Sequence, residues 1–168
     1  MASYVIDTDV ASDILFGEET AATLVDFIQQ EPECRVFISE ITRLELLSMV
    51  NLTQTMSRQI NDLIEVFDEV IVLDEVVSRK AAELRRLGNG PMTLCPQCGR
   101  RIGGKLKTPD SIVAATAASE QAILITRNLK DYQHLVECAG LQVQIPSVAL
   151  EELRGRPRNV ASASDQQE

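Results

Sequence analysis

Five short apolar runs, each set apart from the next by segments with helical spacing, constrain this chain more than any other feature. They are Tyr4–Ile6, Arg35–Ser39, Glu69–Leu73, Ala122–Thr126 and Leu141–Ile145. Strands joined through helices pair in parallel, because a parallel pair needs a long crossover. The helices must then cover the faces of the sheet. The expected fold class is therefore α/β, a three-layer α/β/α sandwich with a mostly parallel central sheet. Leu141–Ile145 alternates apolar and polar residues, which suits an edge strand. Helices are expected over Ala11–Phe16, Glu19–Gln30, from Glu40 onward, Gln54–Phe67, Glu75–Leu87, from Thr108, Asn128–Leu135 and Pro146–Leu153. Asp74 is a plausible cap for the helix from Glu75, and Gly88-Asn89-Gly90-Pro91 stops it. Thr108-Pro109 has the form of an N-cap followed by proline in the first helical position.

A chain of 168 residues, 45% of them apolar, suits one globular domain over residues 1–154. Residues 155–168 form a polar tail, expected to be disordered. Residues 88–107 read as a long irregular insertion. No apolar run approaches the ~20 residues that span a bilayer, so a soluble, cytoplasmic chain with no membrane partner is expected. Net charge is −9, yet between Arg79 and Lys107 eight basic residues face a single acid. Such a window in an acidic protein suits an anionic ligand, although a solvated helix face and loop would carry the same charges.

The acids stand at places where a parallel sheet can collect them. Asp7 ends the first strand, Asp110 opens a helix, and Asn128 and Asp131 follow the fourth strand. Strand ends of one direction lie along one edge, where α/β proteins bind ligands. Glu45 shares a helix face with Ile41, Leu44 and Ser48 and needs a partner there, such as Arg43 or a metal. Each acid also has a purely structural account: a helix cap for Asp7, a dipole contact worth ~0.3–1 kcal/mol for Asp110, turn chemistry for Asn128 and Asp131. Taken together, several carboxylates with no matching cations suit a hard divalent ion such as Mg²⁺ or Mn²⁺.

Four stretches carry a resemblance: Tyr4-Val5-Ile6-Asp7-Thr8-Asp9-Val10, Ile38 to Leu47 with Glu45, Lys107-Thr108-Pro109-Asp110 to Ala117, and Leu124 to Tyr132. In order and rough spacing they resemble the motifs of PIN-domain nucleases, with VapC-type toxin ribonucleases as the nearest relatives. The resemblance covers about residues 3–150. It implies Asp7, Glu45 and Asp110 as metal ligands, with Asn128 at the fourth acidic position and Asp131 as a nearby supplement. Thr8 and Thr126 would support the site by hydrogen bonds. The implied activity is Mg²⁺- or Mn²⁺-dependent hydrolysis of RNA. The implied partners are an RNA substrate, a second copy of the chain and a cognate antitoxin. Asp9 reads as a neighbour that starts the next helix.

The insertion departs from that pattern. Cys95-Pro96-Gln97-Cys98 supplies half of a zinc site, and a structural Zn²⁺ needs four ligands. In a cytosolic chain the four cysteines are expected to be reduced. Arg100, Arg101, Lys105 and Lys107 lead directly into the Asp110 helix and could contact RNA phosphates. Two other readings stand beside the nuclease. A PIN-like domain that binds RNA or protein without cutting is favoured by Asn128. A HAD-type phosphohydrolase is suggested by Asp7-Thr8-Asp9, although Val10 stands where that family has glycine and no later lysine and paired-acid motif is found.

Overall fold

Five parallel strands form the centre of the computed structural model, in the order β3-β2-β1-β6-β7. The structure describes residues 2–49, 52–89, 93–94, 101–102 and 106–155. In chain order the elements are β1 (Ala2–Ile6), α1 (Thr8–Leu15), α2 (Glu19–Gln30), β2 (Cys34–Ser39), α3 (Glu40–Leu47), α4 (Gln54–Val66), β3 (Glu69–Ile71) and α5 (Glu75–Asn89). There follow β4 (Thr93–Leu94), β5 (Arg101–Ile102), α6 (Thr108–Ser119), β6 (Ile123–Ile125), α7 (Leu129–Ala139), β7 (Val143–Gln144) and α8 (Pro146–Arg154). The five expected strands all form, and β7 lies at an edge as its alternation predicts.

Strand alternation sorts side chains into two cores, because successive residues point to opposite faces. Tyr4, Ile6, Val36, Ile38 and Ile125 pack with α1, α2, α4 and α8. Val5, Phe37 and Leu124 pack with α5, α6 and α7. These are the three layers. The strand most central in space is the first in sequence, with β2 on one side and β6 on the other. The chain leaves β1 toward β2 and leaves β6 toward β7, so the winding reverses between β1 and β6. A crevice opens at such a switch point, outside the carboxyl ends of the strands.

Several local details depart from the sequence reading. Residues 88–107 are not wholly irregular: α5 runs on to Asn89, and β4 and β5 pair antiparallel, Thr93 opposite Ile102 and Leu94 opposite Arg101. Cys95, Cys98, Arg100 and Lys105 lie outside the described residues, as does the tail beyond Gly155. Thr108 is not the cap of α6. Lys107 holds that place and Thr108 is the first helical residue, its carbonyl accepting from the Ser111 hydroxyl at 2.7 Å. Asp74 does cap α5, accepting from Val77 N–H at 2.8 Å. α7 runs past Leu135 to Ala139 and ends where Gly140 takes a left-handed φ of 68°.

The expected inward face of α3 is also corrected. Its buried residues are Thr42 and Leu46, and Leu44 is 56% exposed. Ser39 sets the phase of this helix by accepting from Thr42 N–H at 3.1 Å, and the two hydroxyls lie 3.0 Å apart in the interior. A buried polar pair of this kind is invisible to apolar periodicity. No helix among the described residues is long and apolar enough to cross a membrane.

Candidate active site

At the crevice, residues from four stretches of the chain line one cavity of about 380 Å³: Asp7, Thr8, Asp9, Ser12, Glu45, Asp110, Asn128 and Tyr132. A larger groove of about 630 Å³ runs along α5 beside the end of α6. Its lining includes Arg79, Lys80 and Arg86 but a single acid, Glu83, whereas the acids expected from sequence gather at the smaller cavity.

Asp7 follows β1 directly and is 8% exposed. Its two accounts from sequence turn out to be compatible. One oxygen caps α1, accepting from Thr8 N–H at 2.7 Å. The other accepts from the Tyr132 hydroxyl at 3.0 Å, across 125 residues of chain. Burial, then the charge of Asp9, pushes the Asp7 carboxyl up to about 6, against the pull of these donors.

Glu45 projects from α3 and takes a hydrogen bond from the Thr8 hydroxyl at 2.5 Å. The hydroxyl of Thr42 lies 3.3 Å from that of Thr8, so Ser39, Thr42, Thr8 and Glu45 form one polar chain. Arg43, the structural partner suggested for Glu45, pairs instead with Glu40 at 2.8 Å. Asp110 sits in the first turn of α6. Burial raises its carboxyl above the ordinary value, against the opposing charge of Lys107, and its Oδ2 is buried with no hydrogen-bond partner among the described residues.

The turn after β6 brings the last pieces. Thr126 is fully buried, and its hydroxyl accepts from Asn128 N–H at 3.0 Å. Asn128 lines the cavity, and its side-chain amide donates to Asp131. Asp131 does not itself line the cavity. Of the basic residues suggested for RNA, Lys107 is described and lies exposed at the start of α6.

Two members of the site escape the sequence reading. Tyr132 has a signal that could reveal it, since it stands one helical turn beyond Asn128 on α7 and its hydroxyl needs a partner when buried. Asp9 is more than a helix starter. It lines the cavity, and its Oδ2 accepts from Arg127 N–H at 3.1 Å and lies 3.4 Å from the Thr126 hydroxyl.

The donor set fits a hard divalent cation. All of it is oxygen, and two carboxylate oxygens, Asp9 Oδ1 and Asp110 Oδ2, are buried without partners among the described residues. A buried anionic oxygen without a donor is costly unless a proton or a cation meets it. Among the described residues, however, no three acids are already drawn together closely enough to hold an ion. The acids line the walls of one cavity.

One consequence concerns Tyr132. Tyr132→Phe removes a donor from Asp7 while leaving the ring in place, so the Asp7 carboxyl should rise further. Its titration midpoint, followed by NMR of the carboxyl carbon, should move up by about one pH unit, equivalent to about 1.4 kcal/mol. An unmoved titration would mean that the hydroxyl contributes nothing to the charge of Asp7.

No curated protein matches the chain. Similar folds are found among solved structures. A VapBC complex from Rickettsia felis, bound to a promoter DNA fragment, aligns with a TM-score of 0.65 at 16% identity, covering 85% of this chain and 98% of that one. A toxin–antitoxin complex from Klebsiella pneumoniae aligns with a TM-score of 0.60 at 24% identity, covering 85% and 97%. A VapBC complex from nontypeable Haemophilus influenzae gives 0.59 at 22% identity, covering 86% and 98%. At these identities the likeness speaks for the fold. The profile of the PIN domain matches residues 4–135, which span β1 to α7 and contain every residue that lines the cavity; the chain belongs to the PIN domain family.

Proposed function

We propose that this protein is a metal-dependent endoribonuclease and the toxin of a toxin–antitoxin pair. The observation that carries the reading is the meeting of Asp7, Glu45 and Asp110, from three distant segments, on one cavity at the switch point of a PIN domain. These three are the metal ligands, for Mg²⁺ or Mn²⁺. When bound, such an ion lowers the pKa of its water and neutralises charge on the phosphodiester.

The chain's own groups prepare that site. Thr8 N–H and the Tyr132 hydroxyl hold the Asp7 carboxylate in one orientation. The Thr8 hydroxyl does the same for Glu45. Thr126 fixes the turn that presents Asn128 and, beside it, Asp131. The open cavity leaves room for a phosphodiester and its attacking water. Arg100, Arg101, Lys105 and Lys107 all precede Asp110 closely in the chain and contact the RNA backbone. Neutralising these four should weaken RNA binding and reduce its dependence on salt, because fewer counterions are released. Unchanged binding from about 50 to 200 mM salt would remove them from the interface.

The partners follow the same reading. The structural neighbours are toxin–antitoxin complexes, and exposed Phe16, Leu44, Val72 and Val76 offer apolar surface for an antitoxin or a second copy. The protein acts in the cytoplasm. Cys95 and Cys98 would hold Zn²⁺ only with ligands from elsewhere, since Zn²⁺ takes four.

Asn128 favours a second reading, a PIN-like domain that binds without cutting. One experiment separates the two. Purified protein is incubated with total RNA and Mg²⁺ or Mn²⁺, beside Asp7→Asn and Asp110→Asn. Cleavage by the wild type that disappears in both variants and with chelator supports the nuclease. Equal residual cleavage in all three would assign it to a contaminant and favour the binding domain.

A further inference from the structure

The cavity holds a fourth carboxylate that the motif pattern does not assign. We propose that Asp9, and not Asn128 or Asp131, completes the metal site; this rests on the nuclease reading above. Three observations lead there. Asp9 lines the cavity with Asp7, Glu45 and Asp110, whereas Asp131 does not. The side-chain amide of Asn128 is engaged with Asp131, which turns that acid onto its neighbour. The two oxygens of Asp9 are in different states. Oδ2 is occupied by Arg127 N–H and faces the Thr126 hydroxyl, while Oδ1 is buried with no partner among the described residues.

This division of labour explains the pattern at both ends of the interaction. Through Oδ2, Asp9 ties α1 to the turn after β6, closing the switch point from one wall to the other. Through Oδ1 it offers an anionic oxygen that no described donor satisfies. The acid that the pattern expects after β6 is thereby supplied from one residue beyond Thr8, across the crevice. Ser12, one turn further along α1, lines the same side of the cavity.

The test is Mn²⁺ binding to the full, metal-free chain, read at about pH 7.5 from the EPR signal of the free ion. Wild type, Asp7→Asn, Asp9→Asn and Asp131→Asn are compared, with thermal unfolding of each without metal. Asp9→Asn should keep its fold, because the amide oxygen still accepts from Arg127 N–H, and should weaken Mn²⁺ binding by tenfold or more. Asp131→Asn should bind within twofold of wild type. If Asp9→Asn does not fold, Asp9→Ser carries the same expectation. Loss of binding in Asp7→Asn and Asp131→Asn but not in the Asp9 variants would overturn the assignment of Asp9 and leave the metal centre standing. Absence of Mn²⁺ binding in the wild type would overturn both.

Discussion

Asp7→Asn should abolish RNA cleavage and, at the same time, make the metal-free protein more stable at neutral pH. Both effects have one cause. The Asp7 carboxyl is buried beside Asp9 and is pushed up from its ordinary value of 3.8 to about 6. Between these values the folded state holds a proton that the unfolded chain has released. Stability from this group is therefore complete below pH 3.8 and falls as pH rises to about 6, beyond which the charge is buried at full cost. The loss is at most about 3 kcal/mol, because each pH unit between the two values costs about 1.4 kcal/mol. Asparagine keeps the side-chain oxygen that accepts from Thr8 N–H and carries no charge. Metal-free Asp7→Asn should thus be about 1–3 kcal/mol more stable than wild type at about pH 7.5, equivalent to several degrees in melting temperature. Below about pH 4 the difference should close. Cleavage should fall on the order of a hundredfold or more, as when a transition-state stabilising group is removed. Urea titrations at about pH 4, 6 and 7.5 decide the stability half. Equal stability of the two proteins at the highest pH would mean that Asp7 is not held as a strained carboxylate. The same proton competes with a cation, so Mn²⁺ affinity of the wild type should rise with pH through about 6.

The second large effect lies in α6, not in the cavity. From Ser111 to Ala117 every residue of this helix is buried. It packs against α5 and α3 and lies against β1, β2 and β6. Ala114 and Ala115 are fully inaccessible, and a small side chain is what lets the helix approach the sheet so closely. Ala114→Leu inserts a branched side chain where no space exists. Overpacking of this kind costs about 1–3 kcal/mol and occasionally more. Asp110 stands one turn before Ala114 on the same helix, so the strain should also displace it. The expected result is a loss of about 3 kcal/mol in urea unfolding, with Mn²⁺ affinity reduced in the fraction that remains folded. A variant with unchanged stability would show that α6 has slack the packing does not suggest.

The sequence is most legible where physics is local. Strand runs such as Tyr4–Ile6 are apolar because both faces of a parallel sheet are covered, and they stand out for that reason. The Thr108-Pro109-Asp110 start is recognisable from proline, although the cap proves to be Lys107. What pattern reading cannot supply is the phase of α3. That phase is set by buried hydroxyls, Ser39 and Thr42, which look like surface residues in a hydropathy pattern. Tyr132 and Asp9 escape it for a related reason. Their roles are partnerships across 125 and 118 residues of chain, which apolar periodicity does not register. The pairing of β4 with β5 is hidden because two-residue strands leave no periodicity to read.

The central position of β1 has a consequence for the order of events during synthesis. Asp7 is among the first residues made, yet the strand it terminates waits for β6 as its second neighbour, and β6 begins at Ile123. A nascent chain that has emerged only through α5 already carries Asp7 and Glu45 but neither Asp110 nor the turn that meets Asp9. Domains complete themselves as the chain leaves the ribosome from its N-terminus. The cavity is thus assembled by the later part of the polypeptide, and truncated or stalled products lack it. For the proposed nuclease, this topology delays the hazard until the residues that complete the cavity, the last of them Tyr132, have been made.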